Sequence, residues 1–418
     1  MGGNVTAITK SGKETRAEKV QLKEIGRANF IKKVEATLKV LNNGFYKKFG
    51  RKIWEDESQI DDAYVFNGST SFVMNTDYSD DDILPYKSSV GDVDLTVPEE
   101  DKEDIWVYLD SIEDTEIMHG VYYMGSNKPT IQSIGSQINT VFAMKFADKV
   151  VNVQMDFEFL PFENGRATTW AKFSHSSAYE DALEGIKAVA HKYLLRALVG
   201  ASSQRDDILI ATSKSTYDNY KISSSKANIN PRMLKFSVDK GLRIAYEPLL
   251  DPNGNIVMKD DKFIYKEIPT SSSNFITDLN RIYKLVFKKP RANPSDIKLM
   301  NSFVSLLKLC KKHLDRETLE RTHERFIELL WGLKPQRAQE LEVQNPDLDR
   351  EIKEKAYQKF IKELGLSDKS KTVHKTVLFR LWSTWQIKNS WNELLRFFKW
   401  KRILNDFFRV CKFTIWVI

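Results

Sequence analysis

The strictest constraint on the fold is the stretch from Val150 to Leu160, where apolar and polar side chains alternate. Successive side chains of a β-strand point to opposite faces, so a two-residue period predicts a strand. One face is apolar and the other carries amides and carboxylates. The apolar face holds Val151, Val153, Met155, Phe157 and Phe159, and the polar face holds Asn152, Gln154, Asp156 and Glu158.

Composition excludes several classes of protein. The chain has 418 residues, of which 41% are hydrophobic, enough to bury a sizeable core and to exclude disorder along the whole length. No apolar run approaches the roughly 18–20 residues of a spanning helix, so no transmembrane segment is expected. Two cysteines, Cys310 and Cys411, exclude a disulfide scaffold and a four-thiolate zinc site. Because residues 1–24 lack an apolar signal segment, the expected location is the cytoplasm.

The net charge of +7 is concentrated at the end of the sequence. Residues 371–418 carry ten Lys and Arg side chains against two acidic ones, together with five of the nine Trp. This basic aromatic tail is predicted to be helical, and its role has several interpretations. It can be a helix face packed on the rest of the protein, a surface for single-stranded nucleic acid, an amphipathic helix in contact with a membrane surface, or an atypical chain end.

The pattern of segments predicts an α+β protein. Apolar residues at three- and four-residue steps indicate a helix from about 28 to 48, and Ser177-Ala178-Tyr179-Glu180 has the form of a capping box that opens another helix. Residues 1–27 are expected to be a mobile arm. The expected units are an N-terminal arm and helix over 1–60, a core over 61–200, a linker and small β unit over 201–273, a helical domain over 274–370 and the tail over 371–418.

Carboxylates cluster in the predicted core. Residues 63–66 indicate a short strand that leads into Gly68-Ser69, and a strand over 90–97 places Asp92 and Asp94 on one face. Carboxylates two residues apart on a strand lie roughly 6–7 Å apart along it. Such a pair can bind hard divalent cations such as Mg²⁺, and a third carboxylate on a neighbouring strand completes a site for two ions roughly 3.5–4 Å apart.

The order of these motifs carries a resemblance. Gly68-Ser69 after a strand, Asp92-Val93-Asp94 in a hydrophobic strand and Asp156 on a later strand resemble the nucleotidyltransferase superfamily of DNA polymerase beta. That superfamily includes CCA-adding enzymes, poly(A) polymerases and aminoglycoside nucleotidyltransferases. The resemblance covers about 63–160 and implies a mixed-sheet nucleotidyltransferase core. One departure is the 22 residues between Ser69 and Asp92, where the family has about a dozen. The acidic segment 77–89 is interpreted as an insertion there, and it puts the position of Ser69 in question.

The resemblance also implies roles for individual residues. Asp92, Asp94 and Asp156 are expected to be the catalytic and metal-binding residues, holding two Mg²⁺ or Mn²⁺ ions, with Asp156 beside the acceptor hydroxyl. Gly68 and Ser69 are expected to bind the outer phosphates of an NTP. Glu158 shares the face of Asp156 and is the alternative third acid. Lys192, with Lys187 and Arg196, is a candidate for charge on the triphosphate, the alternative being an ordinary solvated basic face.

The expected reaction is Mg²⁺-dependent transfer of a nucleoside monophosphate from an NTP to an acceptor hydroxyl. An RNA 3′ end is the expected acceptor, because a helical half with a basic tail can hold a polyanion. A protein or a small molecule is the alternative acceptor, and a non-enzymatic binding protein that retains the fold is the rival class. Lys-rich and Asn-rich stretches favour a bacteriophage source, which would place the protein in the host cytoplasm.

Overall fold

The computed structural model describes residues 6–8, 12, 14–113, 115, 118, 120–122, 136–175, 177–211, 231–271, 274–331 and 346–368. The basic aromatic tail and most of the predicted linker lie outside the described residues, so the interpretations of the tail stay predictions. Within the described ranges, no helix is long and apolar enough to cross a membrane.

The chain is α+β, as expected. Most strands are short, and three in one sheet are longer. In chain order the strands are β1 (Thr6–Ile8), β2 (Glu14–Arg16), β3 (Val20–Gln21), β4 (Ser89–Val90), β5 (Asp92–Pro98), β6 (Gly120–Tyr122), β7 (Gln137–Phe146), β8 (Lys149–Leu160), β9 (Phe162–Glu163), β10 (Arg166–Ala167), β11 (Ile208–Ala211), β12 (Leu234–Ser237), β13 (Gly241–Ile244), β14 (Tyr246–Pro248), β15 (Met258–Lys259), β16 (Lys262–Glu267) and β17 (Phe275–Ile276).

Helices lie between and after these strands. In chain order they are α1 (Leu22–Ile25), α2 (Arg27–Phe49), α3 (Ser58–Asp61), α4 (Thr70–Val73), α5 (Asp80–Ile83), α6 (Lys102–Ser111), α7 (Thr169–His175), α8 (Tyr179–Leu183), α9 (Ala188–Ser202), α10 (Leu279–Val286), α11 (Pro294–Lys298), α12 (Phe303–His313), α13 (Arg316–Trp331) and α14 (Pro346–Leu364). Two 3₁₀ helices span Glu99–Asp101 and Leu299–Asn301.

The central sheet has the strand order β5-β8-β7-β6. β5 runs parallel to β8, whereas β8 with β7 and β7 with β6 are antiparallel. The strand predicted from 150–160 is confirmed as β8, and its apolar face is buried in a core that α2 and α6 share. The helix predicted from 28–48 is confirmed as α2, which packs on β7. The helices α2 and α6 therefore cover the apolar face of the sheet. The polar face of the sheet carries the carboxylates.

Three local expectations are wrong. The segment 63–66 forms turns and a single bridge, Phe66 to Leu95, because Ala63 has a φ of +56° and interrupts extended backbone. Ser177 caps no helix: the predicted helix is divided into α8 and α9 around Gly185, whose φ is +65°. The expected N-terminal arm is packed in its described part, since β3 pairs with β4 and β1 pairs with β2.

The chain beyond the central sheet has a core of its own. α7 and α9 pack with α10, α12, α13 and α14 in one hydrophobic cluster, so α9 belongs with the helical half. Two small sheets accompany it, β12-β13-β17 and β11-β16-β14, with β15 paired to β16. Around 251–254 the chain turns, and a bridge between Leu250 and Ile256 closes that turn. The region predicted as a linker and small β unit thus contributes strands to both sheets.

The two cores are joined at the first turn of α12. Asp181 is buried, and its carboxylate accepts the N–H groups of Phe303 and Val304 at 2.8 and 3.0 Å. Glu180 beside it accepts the hydroxyls of Ser302 and Ser305 at 2.6 and 2.7 Å. A helix N-terminus leaves its first N–H groups without partners inside the helix. Asp181 on α8 therefore supplies hydrogen-bond acceptors for the first N–H groups of α12. This cap fixes the helical half against the site-bearing half.

We expect Asp181→Ala to lower the free energy of unfolding by about 2–4 kcal/mol, because two buried N–H groups lose their acceptors. Urea denaturation measures this loss. The control is Asp81→Ala, since Asp81 is exposed on α5, and its effect is expected to be within about 0.5 kcal/mol. A loss for Asp181→Ala as small as that of the control would contradict the role of the cap.

Candidate metal centre

Parallel pairing of β5 with β8 brings three carboxylates together. The register places Asp94 opposite Asp156, and Asp92 opposite Gln154. Neighbouring strands are about 4.8 Å apart, and carboxylates two residues apart on one strand share a face. Asp92, Asp94 and Asp156 each offer one oxygen, and these oxygens lie within 4.8 Å of one another. The structure therefore brings the three predicted acids to one point.

Like charges at this point disfavour full ionisation. Burial, followed by the charges of Asp92 and Glu158, raises the pKa of Asp94 well above its ordinary value. Burial also raises the pKa of Asp156 to about 7, against the opposing hydrogen bond from Gln154. Two carboxylates that share a site cannot both ionise without cost, and a cation between them removes that cost. Without a cation, the three carboxylates therefore repel one another when they are charged.

Gly68 lies directly against the cluster. The chain just before it follows the other edge of β5, with the N–H of Asn67 donating to the carbonyl of Asp94 at 2.9 Å. A Cβ built on Gly68 would lie 2.1 Å from Oδ2 of Asp94, and the φ of Gly68 is +53°. Both the close approach and the left-handed backbone require glycine. The N–H of Gly68 donates to the carbonyl of His175 at 2.9 Å, which fixes the turn from the opposite side.

Thr70 attaches the turn to the strand. Its buried hydroxyl donates to the carbonyl of Asp92 at 3.1 Å and accepts the N–H of Asp94 at 3.3 Å. The short helix α4 that begins at Thr70 is thereby held beside the carboxylates. Ser69, one residue earlier, is half-buried and its side chain caps nothing in α4. The sequence offered no sign of the role of Thr70, because its partners are backbone groups of a distant strand.

Amide side chains orient Asp156. Nε2 of Gln154 lies 3.0 and 2.9 Å from the two carboxylate oxygens of Asp156, and Gln154 is only 3% exposed. Asn139 on β7 is opposite Asp156 in the register and also donates a hydrogen bond to it. Sequence reasoning missed both amides. The two-residue spacing of Gln154 and Asp156 on the polar face of β8 was the available signal for Gln154.

Glu158, the alternative third acid, contacts Asn67 and His175 instead of the other carboxylates. It accepts the side-chain amide of Asn67 at 2.6 Å, and Nδ1 of His175 lies 3.2 Å from it. Nε2 of His175 lies 2.9 Å from Asp239. Burial opposes the ionisation of Glu158, but the hydrogen bond and charge of His175 outweigh it and lower the pKa of Glu158. Glu158 thus links the site to the loop between β12 and β13, and it lies outside the three-carboxylate cluster.

One lysine of α9 carries a positive charge that acts on the carboxylate cluster. Lys192 is half-buried on α9, and its charge lowers the pKa of both Asp94 and Glu158. Lys187 and Arg196 are exposed, at the start of α9 and one turn beyond Lys192. Lys192 therefore lies within electrostatic reach of the carboxylates, whereas no contact joins Arg196 to them among the described residues.

The donor set fits a hard divalent cation. All three candidate ligands are carboxylate oxygens, which Mg²⁺ and Mn²⁺ prefer, while the soft or nitrogen donors typical of zinc and copper are missing from the cluster. The amides of Gln154 and Asn139 hold one ligand in orientation, as partners behind metal ligands commonly do. The arrangement can hold a cation and present it to a ligand on the polar face of the sheet.

Comparison of the chain with protein-family models, curated proteins and solved structures found no match. Inference about function therefore depends on the geometry of this site.

Metal-free protein should lose stability as pH rises, and Asp156→Asn should lose less. The folded state raises the pKa of Asp156 from 3.8 to about 7. The stability that protonated Asp156 gives to the folded state is therefore fully present below pH 3.8, and it is lost as pH rises through about 7. In a chelator, we expect the free energy of unfolding to fall more for the native chain than for Asp156→Asn, by about 1–3 kcal/mol between about pH 5 and pH 8.

Urea denaturation at both pH values, with EDTA and then with Mg²⁺ or Mn²⁺, measures these changes. The cation should restore stability to the native chain at about pH 8, because only charged carboxylates bind it, and should restore less to Asp156→Asn. Identical pH dependence of the two proteins, together with no stabilisation by either cation, would rule out the metal centre.

Proposed function

We propose that this protein is a metal-dependent nucleotidyltransferase, which moves a nucleoside monophosphate from an NTP to an acceptor hydroxyl. The observation that carries the proposal is the convergence of Asp92, Asp94 and Asp156 beside Gly68. The order of these residues along the chain resembles the superfamily of DNA polymerase beta. The all-oxygen donor set and the glycine packed on one of its members support the same assignment.

In the proposed reaction the acceptor oxygen forms a bond to the α-phosphorus, the bond from that phosphorus to the bridging oxygen breaks, and pyrophosphate leaves. Asp92, Asp94 and Asp156 would hold Mg²⁺, which when bound neutralises phosphate charge and favours loss of the hydroxyl proton. Asp156 lies beside the acceptor and takes up that proton. The turn at Gly68 and Ser69, together with Lys192, positions the triphosphate. Positioning and electrostatics supply the rate enhancement, as in other phosphoryl transfers.

The acceptor we propose is an RNA 3′ end. The support is the sequence: a helical half followed by residues 371–418, whose basic charge can hold a polyanion. A hydroxyl on a protein or on a small molecule requires the same three carboxylates. The carboxylates therefore do not distinguish these acceptors, and a transfer assay has to identify the acceptor.

The test is transfer of labelled NTPs, with Mg²⁺, to a panel of RNAs and to co-incubated protein. Label on RNA 3′ ends is the expected result, and Asp92→Asn combined with Asp94→Asn should lower the rate by at least about 100-fold. Label on protein instead of RNA would identify a protein as the acceptor and would leave the proposed transfer reaction unchanged. Unchanged transfer by the double variant would contradict the proposed role of the carboxylates.

A pair of glycine variants separates site geometry from general strain. Gly68 and Gly165 both have a positive φ, but a Cβ on Gly165 meets only Oε2 of Glu55, at 3.5 Å. Both alanine variants should lose about 1–2 kcal/mol of stability from the backbone alone. Only Gly68→Ala displaces Asp94, so only it should lose transfer activity, by about 10–100-fold. Equal activities of the two variants would show that the packing of Gly68 on Asp94 does not matter.

A further inference from the structure

Helices α10, α11 and α12 have a strongly basic exterior. From Leu279, the first residue of α10, to His313, the last residue of α12, the chain carries nine Lys and Arg side chains and one acidic side chain, Asp296. Eight of the nine basic side chains are exposed, and Lys289 is half-buried. None of them belongs to the carboxylate cluster. We call the Lys and Arg side chains of 279–313 the basic surface.

The exposed face of α12 consists of lysine. Within α12 the exposed side chains are Lys308, Lys311 and Lys312, and steps of three and four residues place them on one side of the helix. The opposite side, which includes Phe303 and Leu306, is buried in the hydrophobic core of the helical half. The fully exposed part of α12 is therefore entirely basic.

Helix α10 is built in the same way and meets α12 near its end. On α10, Arg281 and Lys284 are exposed, whereas Tyr283 is buried. The hydroxyl of Tyr283 lies 3.2 Å from Nε2 of His313, the last residue of α12. Lys284 adjoins Tyr283 in the chain, and Lys312 adjoins His313. The lysines of α10 and α12 therefore lie at the same end of the helical half.

Asp296, the one acid of this stretch, is buried and already paired. It is 4% exposed, and its Oδ1 lies 2.8 Å from Nζ of Lys312. Its Oδ2 accepts the hydroxyl of Tyr283 at 2.9 Å, and Nε2 of His313 lies at the same distance from it. Among the residues that the structure describes, Lys312 is the one member of the basic surface that forms an ion pair. The other cations face solvent without a matching anion from the described chain.

The acids that border the stretch serve as helix caps. Asp278 accepts the N–H of Arg281 at 2.7 Å, and Asp315 accepts the N–H of Thr318 at 2.6 Å. The positive end of a helix dipole partly balances the charge of a capping carboxylate. These two acids therefore leave the basic surface largely uncompensated.

The other exposed side chains of 279–313 indicate which polyanion fits. They are Asn, Ser and Pro, whereas the exposed large apolar side chains of the described residues all lie elsewhere in the chain. A membrane-binding helix inserts apolar side chains, and a surface for single-stranded nucleic acid stacks aromatic rings on bases. The phosphates of a duplex are contacted by Lys, Arg, Asn and Ser. The composition therefore favours the backbone of double-stranded nucleic acid.

We infer that the basic surface binds the phosphate backbone of double-stranded nucleic acid, without contacts to the bases. A DNA duplex carries one negative charge per about 1.7 Å of its axis, and many uncompensated cations on one surface match that density. The inference stands on the charge and contacts of α10, α11 and α12, and it does not depend on the proposed transfer reaction. Where the acceptor is RNA, the surface holds a helical stem of that RNA.

The test is fluorescence anisotropy of the full chain with a labelled RNA hairpin and the DNA hairpin of the same sequence, over a range of salt concentrations. A variant that combines Lys284→Gln, Lys308→Gln and Lys311→Gln should bind both hairpins about 10–100-fold more weakly at low salt. The slope of log affinity against log salt should become shallower by about 2–3, one for each lost phosphate contact. Equal losses on RNA and DNA indicate backbone contacts alone, and a larger loss on RNA adds contacts to 2′-hydroxyls.

A matched variant removes the same charge from the other half of the chain. It combines Lys32→Gln, Lys47→Gln and Lys145→Gln, at exposed positions on α2 and β7, and should bind within about threefold of the native chain. Both triple variants should unfold at the urea concentration of the native chain, because exposed side chains contribute little to stability. Lys312 is kept in both, since it pairs with buried Asp296.

Several results would overturn the inference. Equal losses in the two triple variants indicate a general effect of net charge, and native affinity in the first variant indicates that the hairpins bind elsewhere. Binding of polyglutamate, or of phosphatidylcholine vesicles that contain phosphatidylserine, by a chain that binds neither hairpin would assign the surface to an acidic protein or to a membrane.

One further variant separates this inference from the proposed reaction. Asp92→Asn combined with Asp94→Asn should bind both hairpins as the native chain does, because the carboxylate cluster is no part of the basic surface. Hairpin binding by a chain that transfers no nucleotide would retain the basic surface and reject the reaction. Nucleotide transfer by a chain that binds neither hairpin would retain the reaction and reject the basic surface.

Discussion

The parallel pairing of β5 with β8 is the contact on which the site depends. It sets Asp94 opposite Asp156, with Asp92 one step away on the same face. The opposite faces carry Val93, Leu95, Met155 and Phe157, all fully buried, so the hydrophobic core fixes the register. A slip of one residue would turn the carboxylates of one strand toward the core and is therefore excluded energetically. Apolar burial on one side of the sheet thus holds three like charges together on the other.

The arrangement has an electrostatic cost that the surrounding residues reduce only in part. Amides from Gln154 and Asn139 stabilise Asp156, yet its pKa is still raised to about 7 by burial. The pKa of Asp94 is raised as well, despite the charge of Lys192. Natural proteins retain such local destabilisation mainly where function requires it. A divalent cation bound between the carboxylates would relieve the repulsion, so we expect cation binding to raise the folding stability of this protein.

The sequence predicted the elements whose pattern is local. The alternation over 150–160 and the helical spacing over 28–48 both gave elements that the structure contains. Strand faces indicated Asp92 and Asp94 as a pair, and the resemblance to the nucleotidyltransferase superfamily selected Asp156 over Glu158. The errors arose where a residue with positive φ interrupts a local pattern. Ser177 has capping-box spacing, but Gly185 divides the helix, and the segment 63–66 has strand composition but only one bridge. The partners of Thr70 could not be predicted, because they depend on which segment lies beside β5.

The central claim is tested most directly by a crystal structure of the protein with Mn²⁺ and a non-hydrolysable NTP analogue. Anomalous scattering locates the metal without reference to any assumed chemistry. We expect a peak at about 2.0–2.3 Å from oxygens of Asp92, Asp94 and Asp156, with the triphosphate between that peak and Gly68. A nucleotide bound elsewhere, with no anomalous peak between the three carboxylates, would contradict the account.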